Sequence, residues 1–439
     1  VFDTTILGSN PSAPAKIMKR ISSNIGFLDI IKKKLFPFYK AKEIVAAFKI
    51  LEKNKTNNAN VAMFVGGCVR KYLNNQEIDD VDIATTFSPD EIIEKFKGSN
   101  FKVIKTGTDH GTVTVILNNI KLELTTLRKD IKTYGRHADV SFINNWEEDS
   151  NRRDFTINAI YMDRKGKIFD PQQGVNDLKN NVVKFIGLPS RRIEEDYLRI
   201  IRFIRFSIQY KSVLENETLE AIKINLIGIK NISKERILSE LFKILALNNF
   251  IDIVEGHELK NIFLLIFPEF IHLERLKKNN KYSDIPSLKV DMILAILLID
   301  KSNNYEYFCH KYKVSNNTKL KLETLRKLLE NFQSDNNFFK KNLDKNIYYF
   351  GKENLKKLNT LIFFINDKTN YLEYLKNLKN IITTTLPKFP YDGQYLIKKG
   401  LNEGKVIGQT LKSIEKIWID NNFQLTEEKV QQIIKNDKN

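Results

Sequence analysis

The stretch VGGCVRKYLNNQEIDDVDIAT, residues 65–85, carries the clearest signals for the fold and chemistry of this 439-residue chain. It begins at the end of a short apolar segment, Val61–Val65, which is typical of a buried strand. Gly66 and Gly67 follow, and the residues after them favour a helix. A strand that passes through glycines into a helix can bring backbone N–H groups against a phosphate. Arg70, one turn into that helix, could hold the same phosphate.

Two aspartates of the same stretch, Asp80 and Asp82, alternate along an extended segment, so both carboxylates face one side. Adjacent carboxylates repel each other, and a hard cation such as Mg²⁺ relieves that repulsion. Glu123 lies between two leucines on another expected strand and points to the opposite face from them, where it would be a third carboxylate. The residues alone leave plainer interpretations open, because a D-x-D pair is often a solvated turn and Glu123 could be an exposed strand residue.

The flanking sequence predicts an α/β module over residues 55–180 with a small, partly antiparallel sheet. A helix is expected over Asp90–Lys97, capped by Ser88 and Pro89. Asn118 and Asn119 separate two alternating segments and indicate a two-residue hairpin. The strands expected in the module are Val61–Val65, Val81–Ala84, Thr112–Leu117, Ile120–Leu127, Thr156–Met162 and Lys167–Phe169.

Helices are expected on both sides of this module. Apolar residues recur at helical spacing over residues 22–55. From Arg191 onward glycine and proline become sparse, Leu and Ile recur every three or four residues, and an amphipathic helix is expected near Ser413–Asn421. Residues 1–17 begin with Val rather than Met, and we expect them not to belong to the fold.

A second polar cluster, Arg152-Arg153-Asp154, leads into the expected strand Thr156–Met162. Arginine donors and a carboxylate acceptor suit recognition of a phosphate and a ribose hydroxyl, with Arg153 and Asp154 as the candidates. The alternative is an ion-pair cluster on the surface.

A third cluster lies in Glu195–Phe206, where basic residues recur every three positions among apolar ones. Asp196 and Arg199 are predicted neighbours on one helix face and could present an acceptor and donors to the edge of a base. Arg202 and Arg205 continue towards a triphosphate. An amphipathic helix with a basic solvent face would explain the period, although not the order Glu-Asp-x-x-Arg.

Composition excludes several classes of protein. Two cysteines exclude a disulfide framework and a cysteine-rich zinc module, and the five histidines form no H-E-x-x-H or H-D pair. The longest apolar runs, such as Met292–Ile299, are shorter than the ~20 residues that cross a bilayer. The formal charge of +18 indicates either a polyanionic partner or a compositional bias. We therefore expect a cytoplasmic protein with no membrane segment.

Together these segments resemble the class II tRNA nucleotidyltransferase and bacterial poly(A) polymerase family, a branch of the polymerase-β-like nucleotidyltransferases. The tail over Gly400–Trp418 resembles the family more weakly. One departure is Lys71, where the family usually has an acidic residue. The motifs that carry the resemblance are VGGCVR (65–70), DVDIAT (80–85), HGTVTV (110–115), RRDFTINA (152–159), DPQQGVNDL (170–178), EDYLRIIRFIRF (195–206) and ERILSEL (235–241).

The resemblance implies an α+β protein, with a nucleotidyltransferase head containing a small mixed sheet, followed by an all-helical neck, body and tail. It places an N-terminal segment and helix at 1–54, the catalytic head at 55–180, the neck at 181–265 and the tRNA-binding body and tail at 266–439. Asp170–Leu178 would join head and neck. Thr125–Phe142, with Arg128 and Arg136, would be a mobile segment that takes part in switching from C to A.

The resemblance also implies roles for the site residues. Asp80 and Asp82 would bind two Mg²⁺ ions, with Glu123 as a third carboxylate; one ion would lower the pKa of a primer 3′-hydroxyl, and the other would neutralise the leaving pyrophosphate. The remaining candidates would bind the incoming CTP or ATP. Those that would bind its phosphates or ribose are Gly66, Gly67, Arg70, Arg153, Asp154, Arg202 and Arg205, and those that would read its base are Asp196 and Arg199.

The activity that the resemblance favours is addition of C, C and A to tRNA 3′ ends without a nucleic-acid template. The acceptor stem and T-arm of tRNA would be gripped by shape and phosphate contacts. Full CCA addition is favoured because the mobile segment looks intact and no long, very basic C-terminal extension is present. Poly(A) polymerase, a specialist that adds only CC or only A, and a non-catalytic tRNA-binding protein are the alternatives. Oligomeric state does not follow from the sequence.

Overall fold

The computed structural model describes residues 37–53, 59–105, 107–108, 111–134, 137–282, 285, 287–367 and 369–437. The chain divides into two compact units between Pro268 and Glu269. The described part of the expected helical region, residues 22–55, contains a 3₁₀ turn at Phe38–Lys40 and helix α1, Lys42–Leu51. Residues 1–36, which include the doubtful first 17, and residues 54–58 lie outside the described residues.

A seven-stranded mixed sheet forms the centre of the first unit. In spatial order its strands are β3 (Lys102–Ile104), β4 (Thr112–Leu117), β5 (Ile120–Thr126), β2 (Val81–Thr85), β1 (Ala62–Val65), β8 (Tyr161–Met162) and β9 (Ile168–Phe169). Neighbouring strands are antiparallel except for β2 and β5, which are parallel. The sheet confirms the expected α+β fold.

Local sequence signals in this unit are confirmed. Helix α2, Gly67–Leu73, follows β1 directly, and helix α3, Pro89–Phe96, begins with a capping box between Ser88 and Glu91. Asn118 and Asn119 both have positive φ, 49° and 71°, as a type I′ hairpin turn between β4 and β5 requires.

The strand expected over Thr156–Met162 is only partly present. Thr156–Asn158 is a 3₁₀ turn, and only Tyr161–Met162 is a strand. The turn forms because the Asp154 carboxylate accepts the N–H of Phe155 at 2.9 Å and the side-chain amide of Asn158 at 2.7 Å. Such local side-chain bonds offer the backbone an alternative to a sheet ladder. All residues of this segment are buried, so buried and exposed positions do not alternate as in a half-exposed strand. The apolar pattern therefore does not distinguish a strand from a turn.

The segment expected to be mobile, Thr125–Phe142, contains the end of β5 and a separate hairpin of β6 (Arg128–Tyr134) and β7 (His137–Phe142). The register of this hairpin shifts between Asp130 and Lys132. Arg128 lies on β6, whereas Arg136 lies outside the described residues. The mobility of this segment stays a prediction.

The rest of the first unit is helical. Phe155 packs against helix α7, Leu198–Tyr210, with its ring 5.5 Å from that of Phe206, and 4.8 Å from the ring of Phe185. This aromatic contact fixes the RRDF segment on the helix that carries Arg199, Arg202 and Arg205. The helices are α4 (Trp146–Asn151), α5 (Gly174–Lys179), α6 (Pro189–Glu195), α7 (Leu198–Tyr210), α8 (Asn216–Asn225), α9 (Lys234–Leu245) and α10 (His257–Ile266).

The described part of the second unit consists of helices and connecting loops. Met292–Leu298 of α12 is buried throughout, which makes this helix the centre of the unit. The amphipathic helix expected near Ser413–Asn421 is present and longer, as α19. Within the described residues, no helix is long and apolar enough to cross a bilayer. The helices are α11 (Lys277–Lys281), α12 (Val290–Leu298), α13 (Asn304–Lys311), α14 (Asn316–Ser334), α15 (Leu343–Phe350), α16 (Lys352–Ile365), α17 (Tyr371–Thr383), α18 (Gly393–Lys398), α19 (Lys405–Asp420) and α20 (Glu427–Asn436).

The DPQQGVNDL motif docks α5 against the 3₁₀ turn that follows the RRD cluster. The Asp170 carboxylate caps α5 by accepting the N–H groups of Gly174 at 2.8 Å and Val175 at 2.9 Å. Thr156 donates its hydroxyl to Asp177 at 2.6 Å. A Cβ at Gly174 would lie 2.1 Å from the carbonyl oxygen of Thr156. Position 174 therefore requires glycine, because its backbone lies too close to that of Thr156 to leave room for a side chain.

Replacing Gly174 by alanine should lower the free energy of unfolding by about 2 kcal/mol or more, because the backbone of Thr156 cannot yield without moving the RRD cluster. Urea unfolding would measure the change. Gly408→Ala is the control, since Gly408 lies in α19 with nothing within 4 Å of an added Cβ. Equal stability of the two variants would contradict the proposed close approach.

Candidate active site

A cavity of about 630 Å³ in the first unit gathers most of the side chains that the sequence singled out. Glu123 is the one candidate that does not line it. The candidates that do are Gly66, Gly67, Arg70, Asp80, Asp82, Arg153, Asp154, Asp196, Arg199, Arg202 and Arg205.

The two glycines bring the start of α2 against an aspartate of β2. Gly66 has φ +69°, a conformation that favours glycine. A Cβ on Gly67 would lie 4.0 Å from a carboxylate oxygen of Asp82. Arg70 is buried: its Nε donates to the Tyr210 hydroxyl at 2.7 Å, and its Nη1 donates to Asn158. Arg70 thus lines the cavity and also anchors α2 to α7.

The three carboxylates expected to hold metal lie on or beside neighbouring strands. Asp82 and Glu123 are partners in the parallel register of β2 and β5, and Asp80 directly precedes β2. Burial, together with repulsion from Glu123 and Asp80, raises the pKa of Asp82 to about 6. Burial and Asp79 also raise the pKa of Asp80. Both carboxylates are therefore harder to ionise here than in water.

Lys71, the departure from the family pattern, forms an ion pair with Asp79. The same carboxylate oxygen of Asp79 accepts the N–H of Asp80 at 3.1 Å. The substitution therefore creates a contact at the loop that carries Asp80 and removes none of the proposed ligands.

Arg153 is held by a carboxylate that the sequence analysis did not single out, Asp149 of α4. Arg153 Nη2 donates to Asp149 at 3.0 Å and Nε donates to the Tyr161 hydroxyl at 3.0 Å. Asp149 also accepts from Arg152 Nε at 2.8 Å and from the N–H of Arg128 at 3.2 Å. Burial alone would raise the pKa of Asp149, but Arg153 and Arg152 hold it well below its usual range.

Asp154 joins the head segment to α7. Its Oδ2 accepts from Arg202 Nε at 2.7 Å, while Oδ1 holds Asn158 and the backbone. Burial would raise the pKa of Asp154, but Arg202 and Asn158 keep it well below its usual range. Asp154 and Arg202 both line the cavity, so Asp154 is in an ion pair there, but the pair is largely buried rather than part of the surface cluster that was the alternative.

Arg205 is paired with Glu240 of α9, Nε to Oε2 at 2.7 Å. Burial opposes ionisation of Glu240, but Arg205, Arg202 and Lys243 lower its pKa to about 2. Arg205 and Arg202 therefore enter the cavity already partly neutralised by protein carboxylates.

The expectation that Asp196 and Arg199 share a helix face is wrong. Helix α6 ends at Glu195, Asp196 is extended with φ −156° and ψ 103°, and α7 begins at Leu198. A carboxylate can accept the N–H groups of a following helix from such a break, and Asp196 does so with Leu198 at 3.2 Å. Both side chains still line the cavity.

Asp196 and Arg199 have separate protein partners. Asp196 accepts from Arg236 of α9 at 2.6 Å, and Arg199 Nη1 donates to Glu195 at 2.5 Å. The sequence analysis did not name Arg236 or Glu240 as candidates. Both lie in the ERILSEL motif, which could have identified them. The spacing of Asp149 three and four residues before Arg152 and Arg153 was the signal for that carboxylate.

The donor set at Asp80 and Asp82 fits a divalent cation. Within the part of the chain that the structure describes, no group of three or more His, Cys, Asp or Glu side chains is arranged to hold a metal. Glu123 is instead 2.5 Å from Lys121 Nζ. Mg²⁺ is commonly held by one or two carboxylates together with substrate phosphates. The two aspartates are therefore enough protein ligands for Mg²⁺ if a nucleotide supplies the phosphates.

Comparison with protein families gives two matches. Residues 62–184 match the poly A polymerase head domain, and residues 213–273 match a probable RNA and SrmB-binding site of polymerase A.

Similar structures share the fold. A CCA-adding enzyme of Bacillus stearothermophilus in complex with CTP has a TM-score of 0.69 at 23% identity, over 90% of this chain and 96% of the other. A Thermotoga maritima CCA-adding enzyme complexed with tRNA has a TM-score of 0.58 at 20% identity, over 85% and 91%.

Relatives by sequence are closer. The chain is 33% identical to the mitochondrial CCA tRNA nucleotidyltransferase 1 of Danio rerio over 412 residues, which is 88% of this chain and 89% of the relative. It is 32% identical to the CCA-adding enzyme of Lactobacillus helveticus over 379 residues, 83% and 90% of the two chains. A third of the residues are thus shared over most of both proteins, and the chain belongs to the class II tRNA nucleotidyltransferase family, that of the CCA-adding enzymes.

Proposed function

We propose that this chain adds C, C and A to the 3′ end of tRNA, using CTP and ATP and no nucleic-acid template. The observation that carries the proposal is the single cavity in which the carboxylates of Asp80 and Asp82 face the same space as Asp196 and Arg199. Chemistry at a phosphate and selection of a base can therefore act on one nucleotide. The relatives named for CCA addition support the choice of substrate.

In this mechanism the protein positions reactants and forms no covalent intermediate. Arg202 and Arg205, each already paired with a carboxylate, would direct their remaining donors to the triphosphate. Arg153, held by Asp149 and Tyr161, and Asp154 would take phosphate and ribose. Free donors on a rigid guanidinium bind phosphate oxygens with little reorganisation, which favours the transition state. The primer hydroxyl would then be aligned for in-line attack on the α-phosphate.

Asp80 and Asp82 would hold Mg²⁺, with Glu123 as a third carboxylate if Lys121 releases it. When bound, the metal supplies Lewis acidity at the 3′-hydroxyl and neutralises charge on the departing pyrophosphate. The position of Asp82 beside Glu123 and Asp80 supports this assignment, since burial and then repulsion from these two carboxylates raise the pKa of Asp82, and a cation would relieve the repulsion.

The partner would be tRNA, gripped through its acceptor stem and T-arm by the basic second unit and neck. Residues 301–400 contain 19 Lys and Arg against 9 Asp and Glu. Such an excess binds RNA phosphates and releases counterions, so binding should weaken with salt. The sequence division into head (55–180), neck (181–265) and body and tail (266–439) is part of this proposal. A cytoplasmic location also stays a prediction, since the relatives include mitochondrial proteins.

An extension assay tests the activity directly. With CTP, ATP and MgCl₂, tRNA that ends at the discriminator base should grow by three nucleotides and stop, and tRNA that ends in CC should grow by one. An unstructured oligoribonucleotide is the control and should not be extended. A long ladder on that oligoribonucleotide with ATP alone would instead identify a poly(A) polymerase, the alternative that the head-domain match keeps open. Arrest after CC, or extension of the CC primer alone, would identify a specialist.

Replacing Asp80 and Asp82 together by asparagine should reduce incorporation at least ~10³-fold, because the site loses both charges that would bind metal. Binding of tRNA, measured by filter retention, should change less than about threefold, since phosphate contacts lie elsewhere. The control is Glu77→Gln, which removes an exposed charge from the same loop. Undiminished incorporation by the double variant would exclude these residues from the reaction.

Arg199→Ala should relax the choice among nucleotides more than it weakens tRNA binding, because Arg199 lies at the cavity and would donate to the base. A loss of about 1–3 kcal/mol in discrimination is the usual value of a bidentate contact to a base. The measurement is the ratio of kcat/KM for CTP and UTP on tRNA that ends at the discriminator base. An unchanged ratio with weakened tRNA binding would assign Arg199 to the RNA instead.

A further inference from the structure

The nucleotide site has two halves that lie on different elements. Arg153 and Asp154 follow α4, whereas Asp196 lies at the break between α6 and α7 and Arg199 lies in the first turn of α7. One nucleotide would be read by both halves at once, so the position of one half relative to the other decides which base can be reached. A residue that fixes this relative position would act on nucleotide selection without touching the nucleotide.

Arg192 of α6 makes the contacts that such a residue needs. Its Nη2 donates to the carbonyl oxygens of Arg152 at 2.7 Å and Arg153 at 2.8 Å. Its Nη1 donates to Glu195 Oε2 at 2.5 Å. The side chain is only 12% exposed, so these bonds form away from bulk water. A guanidinium has its donors in a rigid plane, which lets one side chain hold both segments in a fixed geometry.

The same contacts continue to the base-reading side chain. Glu195 Oε2 also accepts from Arg199 Nη1 at 2.5 Å, so two guanidinium groups converge on one carboxylate oxygen. Arg199 Nη1 donates in addition to the carbonyl oxygen of Arg192 at 2.6 Å. An unbroken series of charged hydrogen bonds therefore joins the backbone of the RRD cluster to Arg199, and Arg192 is its centre.

We propose that Arg192 is a positioning residue that sets the base-reading arginine against the ribose- and phosphate-binding segment, an inference that rests on the proposed function. Without the Arg192 side chain, Glu195 loses one of its two cations and its connection to the carbonyl oxygens of Arg152 and Arg153. Arg199 still donates to Glu195, but the two are no longer held in a fixed position relative to the RRD cluster. The nucleotide would then bind more weakly and be selected less strictly.

The fold does not depend on Arg192 alone. A second ion pair, Asp154 with Arg202 at 2.7 Å, joins the same head segment to α7, and Phe155 packs there as well. Loss of Arg192 should therefore loosen the site while the protein remains folded. This separates a positioning role from a purely structural one.

The test compares Arg192→Ala and Arg192→Lys with the matched control Arg191→Ala, which removes an exposed arginine from the same helix. Three quantities are measured on the full chain: the dissociation constants of CTP and UTP in MgCl₂ without primer, the kcat/KM ratio for incorporation of CTP and UTP into tRNA, and the thermal unfolding midpoint. We expect Arg192→Ala to weaken CTP binding and to lower the CTP/UTP ratio by at least about tenfold each. Arg192→Lys should recover part of the loss, since one ammonium cannot bridge all three acceptors, and Arg191→Ala should match the unaltered chain.

A lowered unfolding midpoint with unchanged CTP affinity and unchanged CTP/UTP ratio would overturn the proposal and leave Arg192 a purely structural residue. If Arg192→Ala does not fold, Arg192→Lys decides by the same two ratios. Failure of the proposed function is distinguishable, because the unaltered chain would then not extend tRNA with C, C and A.

Discussion

The ion pair between Asp154 and Arg202 is the contact on which the arrangement of the site depends. It joins the RRD cluster of the head to α7, 48 residues further along the chain, at 2.7 Å. The carboxylate is nearly buried, with 11% of its side chain exposed, so it needs a cation and hydrogen bonds to stay ionised. Removing one partner of such a pair leaves an uncompensated charge, which costs about 3–5 kcal/mol in proteins. Asp154 therefore stays ionised in the cavity because Arg202 and Asn158 donate hydrogen bonds to it.

The same need to pair opposite charges applies to the other arginines that line the cavity, and it explains how so many of them lie close together. Like charges repel strongly at low dielectric, and most of these guanidinium groups are paired with a carboxylate, in some cases a shared one, before substrate enters. Asp149 holds Arg152 and Arg153, Glu195 holds Arg199, and Glu240 holds Arg205. Each arginine retains donors beyond those in its pair, because a guanidinium has five N–H groups. The carboxylates thus position the arginines without using up their capacity to bind phosphate or a base.

Sequence patterns predicted those parts of the molecule in which neighbouring residues determine the outcome. The glycine turn at Gly66, the capping box at Ser88 and the hairpin at Asn118-Asn119 each follow from local backbone preferences. The pairing of Asp196 with Arg236 could not be predicted, because 40 residues separate them and helical periodicity gives no information on contacts between elements. The helix break at Asp196 was missed for a related reason: its residues have acceptable helix propensity, and the break is fixed by contacts of Asp196 with Leu198 and Arg236 rather than by a glycine or proline.

That break matters for how a base can be read. In a continuous helix, Asp196 and Arg199 would lie one turn apart and pair with each other, since opposite charges at that spacing attract. In the extended conformation at Asp196 they take different partners, Arg236 and Glu195. Each Asp196 oxygen accepts one protein hydrogen bond and keeps further lone-pair capacity, and Arg199 keeps donors of its own. The acceptor and the donor proposed to read the base are therefore held independently of each other, and their spacing is fixed by contacts with α6 and α9 rather than by mutual attraction. Selection of a nucleotide by protein side chains requires such fixed spacing, because a pair free to neutralise itself would present no pattern to a base.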